Sequence, residues 1–151
     1  MSQNLHGISD RQIATFRVGS MLFGIDVSIV QEVIRAQRMT RVPLAPPVVK
    51  GLINLRGQIL TAIELREVLG MDPRPEDQPP MNVVIQTDSD NISILVDRIE
   101  DVLDLDATRI EETPETVEKC YRDLLDSVYK LDKGLLLVLN AERVAKFSDE
   151  L

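Results

Sequence analysis

The chain has 151 residues, of which 44% are hydrophobic and 28% are charged, and its formal net charge is −8 at pH 7. This length and composition are typical of one globular domain, or of two very small ones. The negative charge argues against general nucleic-acid binding, which relies on Lys and Arg neutralising phosphates.

The charge is unevenly placed along the chain. Residues 1–72 carry eight Lys and Arg against six Asp and Glu, whereas residues 73–151 carry nine against nineteen. Two surfaces of opposite sign with different partners, or a solvated acidic face, both fit this distribution.

Residues 1–11 are predicted to form a flexible N-terminal tail, because they are polar and lack the apolar centre of a signal peptide. No apolar run approaches the roughly 20 residues that span a membrane. The single cysteine, Cys120, excludes an internal disulfide and fits a reducing compartment. We therefore expect a cytoplasmic protein.

The first half then reads as short strands and one helical turn. Gly19-Ser20 between two apolar runs is typical of a hairpin, and a second pair of strands surrounds Arg56-Gly57. The apolar neighbours of Arg56 could be core residues or could face a partner, since alternation allows both. The predicted elements are strands at Ile13–Val18, Met21–Ile25, Val48–Leu55 and Gln58–Ile63 and a helical turn at Glu64–Leu69.

After a Pro-rich linker, 71–80, the chain repeats its pattern. VQEVI (Val30–Ile34) aligns with IEDVL (Ile99–Leu103) at an offset of 69, and GQILTAIELREV (Gly57–Val68) aligns with KGLLLVLNAERV (Lys133–Val144) at an offset of 76. About five short strands per half predict two small barrels.

The remaining predicted elements follow this repeat. Thr113-Pro114 resembles a helix start within an insertion at roughly 104–130, where we expect a short helix or loop and then a strand near Val128. The others are strands at Val83–Thr87 and Ile92–Val96 and a last helix at Ala141–Lys146, capped by Asn140.

No residue set in the chain resembles a catalytic or metal-binding site. His6 lies in the predicted tail, and Cys120 has no histidine nearby in the sequence. Acid pairs such as Glu100 and Asp101 could act as acid and base, but carboxylates in an acidic half are usually solvated. We expect no catalytic residue, no metal and no cofactor, and we keep a small enzyme using these acid pairs as an alternative.

The stretch GLINLRGQILTAIELREVLG, Gly51–Gly70, resembles the signature of the CheW family, the adaptors of bacterial chemosensory arrays. The family pattern places Asn-Leu-Arg-Gly, here residues 54–57, before an apolar strand that ends in Asp-Leu-Arg. Three further blocks resemble the family in the same order: Leu22–Arg35, Ile94–Leu105 and Gly134–Val144.

The resemblance implies an all-β fold with short helices, built from two packed SH3-like five-stranded β-barrels. These would form a single CheW-like domain over residues 12–151. Its subdomains would lie at approximately 12–70 and 81–151, and strands could be exchanged between them.

The family also implies a non-enzymatic adaptor that couples transmembrane chemoreceptors to a CheA-type histidine kinase for chemotaxis. The implied partners are the kinase regulatory domain, the cytoplasmic receptor tip and, through ring self-association, other copies of the chain. We expect no binding to nucleic acid and no direct membrane insertion. The protein would be cytoplasmic and recruited to membrane-associated receptor arrays.

Family positions transfer to particular residues of this chain. The residues implied in receptor binding are Arg56, Gly57, Asn54 and Lys50. The residues implied in kinase binding are Val30, Glu32 and Gly51.

The chain departs from the family pattern in three places. Glu64 stands where the family usually has aspartate, Glu112-Thr113-Pro114 replaces a frequent Pro-Pro pair, and Arg122-Asp123-Leu124 replaces a glycine after Tyr121. These differences favour, as an alternative, a specialised adaptor of a pili, surface-sensing or second-messenger pathway.

Overall fold

Short apolar runs interrupted by Gly, Asp and Pro form strands in the computed structural model, which describes residues 11–88, 90–115 and 122–150. The strands of this described part are β1 (Arg11–Val18), β2 (Met21–Asp26), β3 (Val30–Arg35), β4 (Val49–Leu55), β5 (Gln58–Glu64), β6 (Met81–Gln86), β7 (Asn91–Val96), β8 (Arg98–Leu105), β9 (Ile110–Glu111), β10 (Leu125–Leu131) and β11 (Gly134–Leu139). The helices are α1 (Leu65–Val68) and α2 (Ala141–Ala145), and 3-10 turns span Val27–Ile29, Ala107–Arg109 and Lys146–Glu150. None of the helices in this part of the chain is long and apolar enough to cross a membrane.

The strands form two sheets, and each sheet takes strands from both sides of the Pro-rich segment 71–80. The five-stranded sheet has the order β3-β6-β7-β5-β4, and the six-stranded sheet has the order β8-β1-β2-β11-β10-β9. Hairpin pairs are antiparallel, whereas β5 pairs with β7, and β11 with β2, in parallel. These two parallel contacts, together with β1–β8 and β3–β6, join the two halves of the chain.

The internal repeat predicted from the sequence is visible in the topology. Strands β1 to β5 correspond in turn to β6, β7, β8, β10 and β11. Exchanging each strand with its counterpart converts the order of the five-stranded sheet into that of the six-stranded sheet, except for β9. The bulges repeat as well. The register shift of β4–β5 falls between Val49 and Gly51, and that of β10–β11 falls between Leu125 and Ser127, which is the predicted offset of 76.

Each sheet closes into a barrel in the same way. Thr40, beyond the end of β3, pairs with Leu52 of β4 through two backbone hydrogen bonds of 2.9 and 2.8 Å. In the other sheet β9, beyond the end of β8, pairs with β10. We call the five-stranded barrel the Arg56 barrel and the six-stranded barrel the Asp132 barrel, after residues at the tips of equivalent hairpins.

One cluster of buried side chains packs the two barrels together. Phe16 and Phe23 of the β1–β2 hairpin stack with ring centroids 6.5 Å apart, and they share the cluster with Ile63 and Ile94 of the other sheet. Each such fully buried side chain stabilises the fold by about 1.5–3 kcal/mol relative to its exposed state. The shared core therefore fixes how the barrels sit on each other.

Some boundaries differ from those predicted. Arg11 is the first residue of β1 and not the end of a tail, and β9 has no counterpart among the predicted strands. Strand β10 begins at Leu125, three residues before Val128, because the buried Leu125 side chain continues the core face of the strand. Residues 1–10, with His6, and residues 116–121, with Cys120 and most of the expected helix, lie outside the described residues.

Asp97, at the β7–β8 junction, is the centre of a cluster of charged side chains. It accepts hydrogen bonds from Nε and Nη2 of Arg66 at 3.0 and 2.6 Å, from Nε of Arg74 at 2.8 Å and from the Gly19 backbone N–H at 2.7 Å. Arg74, in the Pro-rich segment, also donates to both oxygens of Glu64, at 2.7 and 3.1 Å. The four side chains are between 6% and 14% exposed. The cluster ties the Pro-rich segment, α1 and the β1–β2 turn to one carboxylate.

These contacts control the ionisation of Asp97. Burial alone would raise the pKa of Asp97, but the hydrogen bonds from Arg66, Gly19 and Arg74 outweigh it and lower the pKa from 3.8 to about 2. A group whose folded-state pKa is depressed stabilises the fold above its unfolded-state pKa. That contribution is lost as the pH falls from about 4 towards 2.

We expect Asp97→Asn to lower the free energy of unfolding by about 2–4 kcal/mol near neutral pH, because Arg66 and Arg74 would stay buried without a carboxylate. Urea denaturation near pH 7 and near pH 2–3 would measure this, and the difference between wild type and variant should shrink at the lower pH. Asp104→Asn, at an exposed position on β8, is the matched control and should change stability by less than about 0.5 kcal/mol. Equal losses in the two variants would contradict the role of the cluster.

Candidate partner-binding surface

Arg56 and Gly57 form the two-residue turn between β4 and β5. The flanking residues Leu55 and Gln58 pair across the hairpin, and φ is 53° at Arg56 and 86° at Gly57. Positive φ at both central positions is the type I′ geometry, whose twist matches that of the strands. The Asn54 Oδ1 accepts a hydrogen bond from the Gly57 N–H at 3.0 Å. The turn thus holds Arg56 in a conformation that non-glycine residues seldom adopt.

The Arg56 guanidinium is paired with Glu32 on β3. Its Nη1 lies 2.6 Å from Oε2 and its Nη2 lies 2.8 Å from Oε1, which is the bidentate arrangement of a strong ion pair. The hydrogen bonds from Arg56 lower the pKa of the Glu32 carboxyl. The Arg56 side chain is nevertheless 71% exposed. Because β3 and β4 are the outer strands of the five-stranded sheet, the pair links the two sheet edges and leaves the guanidinium open to a partner.

Val30 and Lys50 lie on the same barrel as this pair. Val30 is half-buried at the start of β3, two residues before Glu32. Lys50 is exposed near the start of β4. The six residues from Lys50 to Arg56 correspond to about 20 Å of extended strand, so the two cations lie at opposite ends of β4.

Gly51 is buried and supports the chain that crosses over it. A Cβ atom at Gly51 would lie 2.8 Å from the Thr40 carbonyl oxygen and 3.2 Å from the Met39 Cβ. The missing side chain therefore allows Thr40 to approach β4 closely enough for its backbone pairing with Leu52. The structure brings Asn54, Arg56 and Gly57 together with Glu32, and it places Gly51 beneath another segment.

One exposed apolar residue on the Arg56 hairpin is a further candidate contact. Ile59, opposite Asn54 in the hairpin, is 58% exposed. Val33, which follows Glu32 on β3, is 39% exposed and lies on the other face of that strand. Strand alternation could have singled out Ile59, because its neighbour Leu60 is buried in the core. The hairpin therefore combines a cation with one exposed apolar side chain.

The Asp132 barrel carries acids at some of the positions where the Arg56 barrel carries cations. Asp132, at the tip of the β10–β11 hairpin, stands 76 positions after Arg56. The exposed apolar residues repeat, since Val102 and Leu135 are the counterparts of Val33 and Ile59. At three equivalent exposed positions a cation of the Arg56 barrel is an acid in the Asp132 barrel: Arg35 and Asp104, Lys50 and Asp126, Arg56 and Asp132.

The acid pair of the catalytic alternative is open to solvent. Glu100 and Asp101 are both exposed on β8, whereas a catalytic carboxylate needs a concave, desolvated pocket. Within the described ranges, no group of three or more His, Cys, Asp or Glu side chains is arranged to hold a metal ion. The exposed pair therefore lacks the surroundings that this alternative requires.

Comparisons with known proteins agree with this geometry. A family model described as CheW-like domain matches residues 12–148. The probable chemotaxis protein CheW of Rhizobium etli is 30% identical over 140 residues, which cover 93% of this chain and 89% of that protein. The chemotaxis protein CheW of Bacillus subtilis is 30% identical over 134 residues, which cover 88% of this chain and 85% of that protein. The scaffolding protein TtCheW of Thermoanaerobacter tengcongensis has the same fold, with a TM-score of 0.77 at 24% identity over 86% of this chain and 88% of that one. Because the family model covers nearly the whole chain, the chain belongs to the CheW-like domain family.

Proposed function

We propose that this chain is a non-enzymatic adaptor that couples transmembrane chemoreceptors to a CheA-type histidine kinase in chemosensory arrays. Family membership and the names of the relatives support a scaffold for chemotaxis. The observation that carries the proposal is the Arg56 turn, on which a guanidinium is bound to Glu32 on one side and exposed on the other. The adaptor would work in the cytoplasm and be recruited to membrane-associated receptor arrays.

Receptor binding is assigned to Arg56, Gly57 and Asn54, with Lys50 as a more distant contact. The planar fork of an arginine can hold carboxylates or carbonyls on the helical tip of a receptor. The type I′ turn orders the backbone before binding, which reduces the entropy lost on association. Lys50 would reach the same receptor only if the tip lies along β4, because about 20 Å of strand separates it from Arg56.

Kinase binding is assigned to Val30, Glu32 and Gly51. Val30 and Glu32 lie on the outer strand β3, where they can face the kinase regulatory domain. Gly51 is buried, so it would act indirectly, by allowing Thr40 and the segment around it to pack closely on β4. Because Glu32 is bound to Arg56, a receptor that draws the guanidinium away would alter a kinase contact directly.

The charge inversion between the two barrels also supports ring self-association. Three exposed positions carry cations on one barrel and acids on the other, so these parts of the Arg56 barrel of one copy are complementary to those of the Asp132 barrel of the next. The specialised adaptor of a pili, surface-sensing or second-messenger pathway stays the alternative. It is favoured by Glu112-Thr113-Pro114, which departs from the family pattern on the Asp132 barrel.

We expect Arg56→Glu to weaken receptor binding by at least about tenfold, because the new carboxylate would repel both Glu32 and the acceptor groups on the receptor. The measurements are co-sedimentation with receptor-containing membranes and receptor-dependent kinase activity. Circular dichroism should show an unchanged fold, since both side chains lie at the surface.

The charge-swapped variant Arg56→Glu/Glu32→Arg is the decisive control for this prediction. It restores the ion pair with its polarity reversed and moves the cation onto β3. If Arg56 contacts the receptor, the swap does not restore co-sedimentation with receptor-containing membranes, a measurement that does not involve the kinase contact assigned to Glu32. Full recovery of coupling would show that the pair acts only within the fold and would remove Arg56 as a receptor contact.

We expect Gly51→Ala to lower the free energy of unfolding by about 1–3 kcal/mol, because the added Cβ displaces the Thr40 carbonyl from β4. Chemical denaturation measures this change, and Lys50→Ala at the exposed neighbouring position should cost less than about 0.5 kcal/mol. The same Gly51→Ala variant should weaken kinase binding more than receptor binding. Unchanged stability would mean that the close approach of Thr40 does not depend on the glycine.

A further inference from the structure

Leu44 lies at the tip of the loop between β3 and β4. The Ala45 N–H donates to the Val42 carbonyl at 3.2 Å, which closes a turn with Pro43 and Leu44 at its centre. Leu44 has a φ of 65° and is fully exposed, at 104% of its reference accessibility. Proline followed by a residue with positive φ is the type II turn, in which glycine or asparagine usually occupies the second position.

A leucine at this position is unfavourable for the stability of the fold. Its Cβ crowds the backbone in the left-handed region, where glycine and asparagine are better accommodated. The exposed side chain gains nothing from core packing. A strained backbone that carries an unburied apolar side chain is typical of a contact made with another molecule.

The loop that carries Leu44 is positively charged within an acidic protein. Arg38 and Arg41 lie in the loop, Arg35 ends β3 and Lys50 is near the start of β4. Residues 35–50 contain no Asp or Glu, although the whole chain has a net charge of −8. All four cations are exposed. Among the described residues, none of the four has a carboxylate partner within 4.0 Å. The segment can therefore attract an acidic surface around the leucine.

The loop is held firmly enough to present this side chain. Thr40 is fixed to Leu52 by two backbone hydrogen bonds, and the Val49 N–H donates to the Pro46 carbonyl at 2.9 Å. Beside the turn lies a depression of about 710 Å³. Its lining includes apolar Met39, Val42 and Ala45 and charged Arg41, Lys50 and Glu67. An ordered loop loses little conformational entropy when it binds.

We propose that the Leu44 turn, residues 42–45, docks into an apolar socket with an acidic rim on the CheA-type kinase. This inference rests on the proposed function and names a contact within it. The kinase is favoured because Gly51, one of the residues assigned to kinase binding, is buried directly beneath Met39 and Thr40. Met39 and Thr40 belong to the same loop as Leu44, so a partner that binds over the segment supported by Gly51 can also reach the turn.

The Asp132 barrel of this chain shows that a domain of this fold can carry acids complementary to the cations around Leu44. The same fold carries acids at Asp104 and Asp126, where the Arg56 barrel has Arg35 and Lys50. A domain of this fold can therefore present acids opposite the cationic loop. An anionic membrane fits less well, because one leucine offers little area for insertion and the acidic half of the chain would be repelled.

The test compares five proteins in binding to the full-length CheA-type kinase of the same bacterium: wild type, Leu44→Asn, Leu44→Met, Arg41→Glu and Arg98→Glu. Leu44→Asn should raise Tm by about 2–4 °C, since asparagine tolerates positive φ, while it weakens kinase binding by about tenfold. Leu44→Met keeps an apolar side chain and should retain binding. The rise in Tm separates loss of a contact from loss of the fold.

The charge variants test the acidic rim. Arg41→Glu should weaken binding and make it less sensitive to salt, because it removes a cation from the contact. Arg98→Glu, the same charge change at an exposed position on β8, should leave kinase binding unchanged. Equal effects of the two variants would mean that net charge, and not the loop, controls binding.

The outcomes separate this inference from the proposed function. If wild type fails to bind the kinase, the proposed function is contradicted as well. If wild type binds and Leu44→Asn binds equally well, only the inference about the turn is overturned. The same holds if Leu44→Asn loses self-association, or binding to vesicles containing phosphatidylserine, while its kinase binding is intact.

Discussion

The exchange of strands between the two halves of the chain is the constraint on which the rest of the molecule depends. Each barrel is completed by strands from the other half, through the parallel pairs β2–β11 and β5–β7 and the antiparallel pairs β1–β8 and β3–β6. Asp97 reinforces this arrangement because it binds a residue of the β1–β2 turn, a residue of α1 and a residue of the Pro-rich segment at once. The relative position of the two candidate surfaces is therefore set by the sheets and not by a flexible linker.

The Arg56 barrel departs from ordinary backbone geometry in the loop before β4 and in the turn after it. Among the described residues, Leu44 and Arg56 are the non-glycine residues with positive φ, and both have highly exposed side chains. Proteins commonly violate local conformational preferences where a side chain serves a partner rather than the fold. The turn after β4 presents a guanidinium, and the loop before it presents a leucine in a segment that contains cations and no acids. The two sites thus differ in chemistry.

Much of the fold could be predicted from the sequence because its signals are local. Gly19-Ser20 marks a hairpin between adjacent strands, and the offsets of 69 and 76 correspond to equivalent strands and bulges. The turn at Arg56-Gly57 was also predictable, since a glycine between two apolar runs favours a tight connection. Family resemblance added the assignment of Arg56 to a partner surface.

The remaining features depend on contacts between residues that are far apart in the sequence. Nothing near Arg56 indicates that Glu32, 24 positions earlier, completes a bidentate pair with it. The sequence indicates a turn or a close approach at Gly51, but it does not show that Thr40 is the residue lying over it. The short strand β9 is too brief to leave a periodic pattern, and its pairing depends on the register of β10. Such contacts follow from barrel closure, which no single segment encodes.

The strand exchange also has an evolutionary consequence. A duplicated barrel with self-contained halves could be cut, shuffled or replaced one half at a time. Here removal of either half would strip both barrels of internal strands and expose unpaired sheet edges. The two surfaces are therefore inherited together as one unit, and they can diverge only by substitution at the surface, as Arg56 and Asp132 illustrate at equivalent hairpin tips.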